Sequence, residues 1–388
     1  MRHHISMIGC TAPSHIYPSL ALIRELVGRG HRVTYAVGER LVDLITPTGA
    51  EPVAHPSLLP GGEAEWPEDA GAAMRIFLDE AIAVLPHLIE TYDNDRPDLF
   101  LYDIGGLAAP VLGHRYGVPA LQLSPTYVAW DGYEEDFAEF IAGLRASESG
   151  AAYFKVYGEW LAENGIDAEP FAWLSHPANV LSLIPRAMQP NAERVGPHVE
   201  FVGPCLDPGR LADRSWSAPE DAKVLLVSFG TAVTDQLDIY RACIEGFRDS
   251  DWHVVMSVGH KVDLAALGDV PANFEVHRSV PQLAVLEAAS AFVTHAGMGG
   301  STESLWFGVP TVAIPFATDG FGNAARLEEL GAGVQLQADQ VTAAALRSSV
   351  DQVAGDPAVA QRLAVLSREV RANGGVAEAA DAVESHLR

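Results

Sequence analysis

Residues 294–305, THAGMGGSTESL, carry the densest chemical signal in the sequence. Gly297, Gly299 and Gly300 let the backbone approach a ligand closely, and Ser301 and Thr302 add hydroxyls. The stretch follows an apolar run and leads into a helical one ending near Phe307. Free N–H groups and the helix dipole at such a junction favour a phosphate or diphosphate. The spacing is neither GxGxxG nor GxxxxGKS/T, which argues against a standard NAD or P-loop site. The plain alternative is a glycine-rich turn with no ligand. A second turn, Ser228-Phe229-Gly230-Thr231, also closes an apolar run, at the strand end where open α/β sheets bind ligands. Taken alone it reads as an ordinary βα turn, but two such turns in one domain strengthen each other.

His15 lies in the loop after the first apolar run, and Asp103 ends a later run of the same half. Strand ends of that kind converge in a parallel sheet. A carboxylate behind an imidazole fixes its tautomer and raises its basicity, which makes a general base working near neutral pH. The alternative is a solvated or capping histidine. Residues 127–161 are rich in aromatics, most of which read as core or helix-packing positions. Tyr127, Trp130 and Phe137, with Trp66 and Met74, are candidates for lining a large apolar acceptor pocket. The acidic run 134–136 reads as a solvated face. His3-His4 has no further ligand at suitable spacing and reads as strand entry, so no metal site is expected.

The elements that position these residues alternate. Residues 4–10 and 32–37 read as strands around a helix beginning near Pro18, one βαβ unit of a parallel sheet. Further strands are expected at 98–102, 119–123, 180–184 and 199–202, with helices at 72–92, kinked or divided at Pro86, and 107–116. Residues 207–222, DPGRLADRSWSAPEDA, have no periodicity and read as a linker. The alternation restarts with strands at 223–229, 253–257, 274–277, 291–294 and 311–314, and the chain is helical from about Val341. The expected fold is α/β, with two doubly wound Rossmann-like domains facing a deep cleft. Their bounds are 1–206 for the first domain and 223–370 for the second; the resemblance described below implies acceptor binding for the first and nucleotide-sugar binding for the second. A C-terminal helix within 371–388 is a candidate to pack back on the first.

Composition bounds the partners. The 388 residues suit two domains, and 48% hydrophobic content excludes a disordered or fibrous chain. With 25 basic and 51 acidic residues the net charge is −26, which repels nucleic acid and anionic lipid. The three cysteines, Cys10, Cys205 and Cys243, form no CxxC and read as reduced thiols of a cytoplasmic protein. The opening MRHHISMIGC has no long apolar core after its basic start and is not expected to act as a signal peptide, and without a run of about 18 apolar residues no membrane span is expected.

Several stretches together resemble a known family. They are SHIYPSLALIRELVGRGHRVTYAV, RPDLFLYDI, PALQLSPTYVAWDGYEED, VLLVSFGTAVTDQLDIYR, VPQLAVLEAASAFVTHAGMGG and GVPTVAIPFATDGFGNAARLEELG. The chain resembles the GT-B-fold, nucleotide-sugar-dependent glycosyltransferases of natural products, and among them the macrolide, oleandomycin-type antibiotic enzymes. The resemblance implies His15 as catalytic base and Asp103 as its carboxylate partner. It puts His295, Gly297, Gly300 and Ser301 on the diphosphate loop, and Gly230 and Thr231 on a second phosphate-side turn. By the same token Glu303 falls on the ribose contact, Val280 and Gln282 on the nucleobase segment, and Asp319, Gly320 and Asn323 on the donor-sugar segment. Three departures stand out: Ser279 replaces the usual aromatic before VPQ, Gly320 a usual Gln, and Pro13-Ser14 with Tyr17 a usual His-Gly and Asn. A deoxysugar donor would suit Gly320.

The leading expectation is an inverting, metal-independent hexosyltransferase. It would move a sugar from a UDP- or dTDP-sugar to a hydroxyl of a hydrophobic natural product such as a macrolide, in antibiotic inactivation or biosynthetic tailoring. The nucleotide sugar is a co-substrate, no cofactor is expected, and a homodimer is a candidate assembly. The alternatives are a GT-B nucleotide-sugar epimerase and a non-catalytic paralogue that binds a nucleotide sugar or natural product or activates a partner.

Overall fold

The computed structural model describes residues 1–61, 66–231, 233–316 and 319–387. The chain divides into two compact units: Met1–Leu183 with Asn191–Cys205 and Gly375–Arg388, and Ile184–Pro190 with Leu206–Gly374.

The described residues of the first unit form a parallel sheet of β1 (His4–Ile8), β2 (Arg32–Gly38), β3 (Glu51–His55), β4 (Leu99–Asp103), β5 (Ala120–Ser124), β6 (Val180–Ser182) and β7 (Val199–Phe201). The order across it is β3-β2-β1-β4-β5-β6-β7. Both faces are covered, so the inner strands read as continuous apolar runs. Alternation shows only in where the side chains go. Ile5, Met7, Leu99 and Leu101 join the core under helix Pro13–Gly28. Phe100 and Tyr102 join the core under helices Ala70–Tyr92 and Glu148–Glu163. Ser6, buried on that second face, donates to the Tyr92 hydroxyl at 2.7 Å.

The second unit repeats the plan with β8 (Lys223–Ser228), β9 (Trp252–Ser257), β10 (Phe274–His277), β11 (Ala289–Thr294), β12 (Thr311–Ala313) and β13 (Gly333–Gln335), in the order β10-β9-β8-β11-β12-β13. Leu225 and Val227 face one core, Val224 and Leu226 the other.

Several expectations need correction. The first helix begins at Pro13, not near Pro18, because Pro13 can occupy the first helical position, where its missing N–H costs nothing. His15 therefore sits in the first helical turn and not in a loop. Helix Ala70–Tyr92 is not divided at Pro86 but continues through it, with Val84, Leu85, Leu88 and Tyr92 buried on either side. That continuous packing outweighs the lost backbone bond. β3 and β13 were not expected. The run 207–222 is not a free linker: it contains helix Pro208–Leu211, Trp216 and Ala218 pack on the second core, and Trp216 Nε1 donates to Glu275 Oε2 at 3.1 Å. Residues Ile184–Pro190 belong to the second unit, where Arg326 donates two hydrogen bonds to the Ala187 carbonyl at 2.9 and 2.8 Å.

Helix Val376–Ser385 belongs to the first unit and presents Ala379, Ala380, Ala382 and Val383 to the core that holds Leu22, Ile23 and Leu26. Arg29, at the end of the first helix, donates to Asp381 and Glu384 and to the Ala377 carbonyl. Small side chains set the approach of the two helices. Ala380→Leu should therefore overpack the contact and cost about 1–3 kcal/mol. Asp381→Ala, whose ion pair is exposed, should cost less than about 1 kcal/mol. Urea-unfolding midpoints of the two variants check the contrast.

Candidate active site

In the first unit, adjacent strands β1 and β4 run in parallel, with Ile8 opposite Tyr102. Asp103 is the last residue of β4, and His15 stands in the helical turn that follows β1. The imidazole Nδ1 lies 2.9 Å from Asp103 Oδ1 and 3.1 Å from Oδ2. The Gly105 N–H donates to Oδ1 at 2.8 Å. Asp103 is 2% exposed, while the His15 side chain is 26% exposed. An ionised carboxylate can only accept, so Nδ1 carries the proton and Nε2 keeps a lone pair. The arrangement can take a proton from a hydroxyl and hold the imidazolium that results.

Cys10 joins this pair, which sequence spacing did not suggest. Its sulfur lies with one nitrogen of His15 and one oxygen of Asp103 in a group whose ligand atoms are all within 4.8 Å of one another. Burial and the neighbouring carboxylates of Asp103 and Glu80 push the Cys10 thiol well above its ordinary pKa. All three cysteines are buried and unpaired with each other.

In the second unit, the two glycine turns meet at the His295 ring. Gly230 has φ +72°, and a Cβ there would lie 2.7 Å from His295 Cε1. A Cβ on Gly297 would overlap the same ring. Gly297 is the N-cap of helix Met298–Phe307. Ala296 is buried in the left-handed region at φ +60°, and Asn323 Nδ2 donates to its carbonyl at 2.9 Å and to Asp319 Oδ2 at 3.0 Å. Among the described residues, His295 Nδ1 and Ser301 Oγ are buried polar atoms without a hydrogen-bond partner. Two orphaned groups beside a helix N-terminus fit an anionic ligand that accepts from both.

Glu303, buried in the same helix, is gripped on both oxygens: Arg210 donates to Oε1 at 3.0 Å and Gln282 Nε2 to Oε2 at 2.6 Å. Gln282 is thus brought to Glu303, and Val280 packs half-buried against the core that includes Val285. Arg210 was not singled out, since its place in an aperiodic run gives no signal. Thr231 and Asp319 are exposed, Gly300 is half-buried, and Gly320 is buried. Ala232, Ala317 and Thr318, within the stretches that carry the resemblance, lie outside the described residues.

The aromatic candidates fall into two groups. Trp66 is exposed and stacks on Phe77 at 5.5 Å, with Met74 packed against the same core as Phe77. Trp130 is buried, meets Tyr133 edge-on at 5.1 Å and Phe137 at 5.9 Å, and donates through Nε1 to Asp136 at 2.7 Å. Tyr127 is half-buried, and ring contacts among the described residues do not join the two groups. Tyr153, Tyr157 and Trp160 are core residues.

Known proteins are similar to this chain over nearly its whole length. Residues 243–385 match the family described as "Erythromycin biosynthesis protein CIII-like, C-terminal domain". The oleandomycin glycosyltransferase of Streptomyces antibioticus is 46% identical over 392 residues, covering 99% of this chain and 91% of its own length. An NDP-glycosyltransferase of Bacillus licheniformis is 36% identical over 99% of this chain and 98% of its own. The crystal structure of the glycotransferase of kitacinnamycin superposes with a TM-score of 0.93 at 44% identity, covering all of both chains.

The His295 environment has a pH consequence. Burial lowers its pKa below 6.5, against the opposing charge of Asp319. A histidine with a depressed folded pKa stabilises least when protonated: as pH falls below about 6.5 the unfolded chain takes up the proton first, and stability declines until the folded pKa is passed. His295→Gln should therefore show a shallower loss of stability between pH 7 and pH 5.5 than the unmodified protein. Urea midpoints at the two pH values measure it, and equal slopes would contradict the burial argument.

Proposed function

The chain belongs to the macrolide-type glycosyltransferases, and on that premise we propose that it transfers a sugar with inversion, without a metal, using His15 as the base. The observation that carries this reading is the His15–Asp103 pair. As the acceptor hydroxyl oxygen bonds to the anomeric carbon, the bond from that carbon to the diphosphate oxygen breaks, and the hydroxyl proton passes to Nε2. Asp103 is committed to His15 and to the Gly105 N–H and is buried, so it is poorly disposed to attack the sugar itself. That favours one displacement over two.

The leaving diphosphate is assigned to the second unit. The N–H groups opening helix Met298–Phe307, with Ser301 and His295, supply donors where negative charge develops. The ribose is assigned to Glu303, whose oxygens each keep a lone pair beyond the bonds from Arg210 and Gln282, with Arg210 balancing its charge. The donor is a UDP- or dTDP-sugar, in keeping with the NDP-glycosyltransferase relative. The acceptor is a hydrophobic natural product of the macrolide kind, by likeness to the oleandomycin enzyme. No helix among the described residues is long and apolar enough to cross a membrane, and three unpaired cysteines suit a cytoplasmic reaction.

His15→Ala should lower kcat roughly 10²-fold or more, the scale of general-base catalysis, with nucleotide binding nearly unchanged. Near-normal turnover in that variant refutes the assignment, and titration of UDP into it by calorimetry checks the binding half.

Donor choice follows from the missing side chains at Ser279 and Gly320. Each lost hydrogen bond or stacking contact is worth on the order of 1 kcal/mol. In competition between UDP-glucose and a 6-deoxy or 4-deoxy donor, the deoxysugar should be used at least as well. A strong preference for UDP-glucose would defeat this expectation.

A further inference from the structure

The proposed transfer gives Cys10 no task, yet its sulfur stands beside the base and its carboxylate. We infer that Cys10, His15 and Asp103 form a binding site for a soft divalent cation of the zinc class, and that occupation of this site disables the base.

The three ligands are held by the sheet. Cys10 lies two residues beyond β1, Asp103 ends the neighbouring strand β4, and His15 is fixed by the helix that follows β1. Gly105 permits the crowding: a Cβ at that position would lie 3.1 Å from both Cβ and Sγ of Cys10. Donors around a tetrahedral zinc lie about 3.3–3.8 Å apart, given bonds of about 2.0–2.3 Å. A group already within 4.8 Å closes on the ion with shifts of about 1 Å. One sulfur, one nitrogen and one oxygen select zinc, or cobalt as its probe, over magnesium or calcium, which take oxygen ligands. Cys10 and Asp103 are each 2% exposed, and His15 is the member open to solvent. The ion enters past His15, and the fourth position is left to water.

The protons balance simply. Cys10 releases its thiol proton to solvent and binds as thiolate. Asp103 binds as the carboxylate it already is. The Nδ1 of His15 gives its lone pair to the ion, and the ring proton it carried is replaced by one on Nε2, so one proton is lost per ion bound. The consequence lies in that last change: Nε2 now bears hydrogen and cannot accept the proton of an acceptor hydroxyl. The inhibitory half of the inference rests on the proposed role of His15; the binding half does not.

The test uses the full chain. Cobalt(II) titrated into the protein should give a near-ultraviolet thiolate-to-cobalt charge-transfer band saturating at one ion per chain. Zinc should bleach the band, and Cys10→Ser and Cys10→Ala should lack it. A cobalt complex without the band, or a band that persists in both variants, overturns the site. In glycosyl transfer, zinc should inhibit and a chelator restore the rate. Cys10→Ser, active without zinc, should raise the half-inhibiting zinc concentration at least about tenfold, the scale found even for residues that only support a ligand. Unchanged zinc sensitivity in Cys10→Ser overturns the inhibition. A protein with no transfer activity would sink the base assignment instead, and the cobalt spectrum would still decide the metal site.

Discussion

A carboxyl group taken almost wholly out of water needs partners for its oxygens, and Asp103 finds them in an imidazole and one backbone N–H. Much of the first unit's design follows from this one hydrogen bond. It needs β1 and β4 adjacent and parallel, so that the residue ending one strand meets the turn leaving the other. It needs the first helix to start at Pro13, which puts His15 in the first turn, beside the strand end. It also needs small residues around it: Gly105 and Gly106 follow Asp103, and a Cβ on Gly106 would lie 2.5 Å from the Ile8 carbonyl oxygen. The apolar runs of the sheet serve to hold these strand ends still. A proton acceptor of fixed tautomer is what that rigidity yields.

The second unit solves a different problem with the same sheet order. Its glycine turns do not wrap open space; they close on the ring of His295. Glycine is required at Gly230 by a positive φ and at Gly297 by the ring itself, so the two turns and the histidine form one packed object. Burial keeps that histidine neutral, and a neutral imidazole beside a helix N-terminus can donate to an anion without first being desolvated as a cation. Acidic Glu303 in the same helix is then tolerable only because Arg210 and Gln282 occupy its oxygens.

The sequence made the inner strands and the two glycine turns legible, since buried parallel strands are plain apolar runs, the positive φ of Gly230 calls for glycine, and the His295 ring leaves no room for a side chain at Gly297. It did not make the edges legible. β3 (EPVAH) carries a proline and is mostly exposed on its outer residues, and β13 has three residues, so neither shows a period. The distance between Cys10 and Asp103 along the chain hides their meeting, as it hides that of Arg210 and Glu303. Pro86 misleads because a local rule is overruled by packing along the whole helix. Trp216 misleads for the opposite reason: one half-buried ring packed against the core anchors a segment whose composition is that of a linker.

Gly320 shows how far a residue's absence of side chain can be read as specificity. A Cβ at that position would lie 3.0 Å from the carbonyl oxygen of His295 and 3.7 Å from Pro315 Cβ. The helix Asp319–Glu329 is therefore seated directly on the glycine loop, and Asn323 ties the two together through the Ala296 carbonyl. A glutamine there would add a hydrogen-bonding group and also press on the backbone that positions His295. The seating of this helix and the geometry of the glycine loop are thus coupled through a single close approach. A larger residue is accommodated at that position only if the helix is set a few tenths of an ångström further from the loop. In this chain the small residue is explained by that packing, before any ligand is considered.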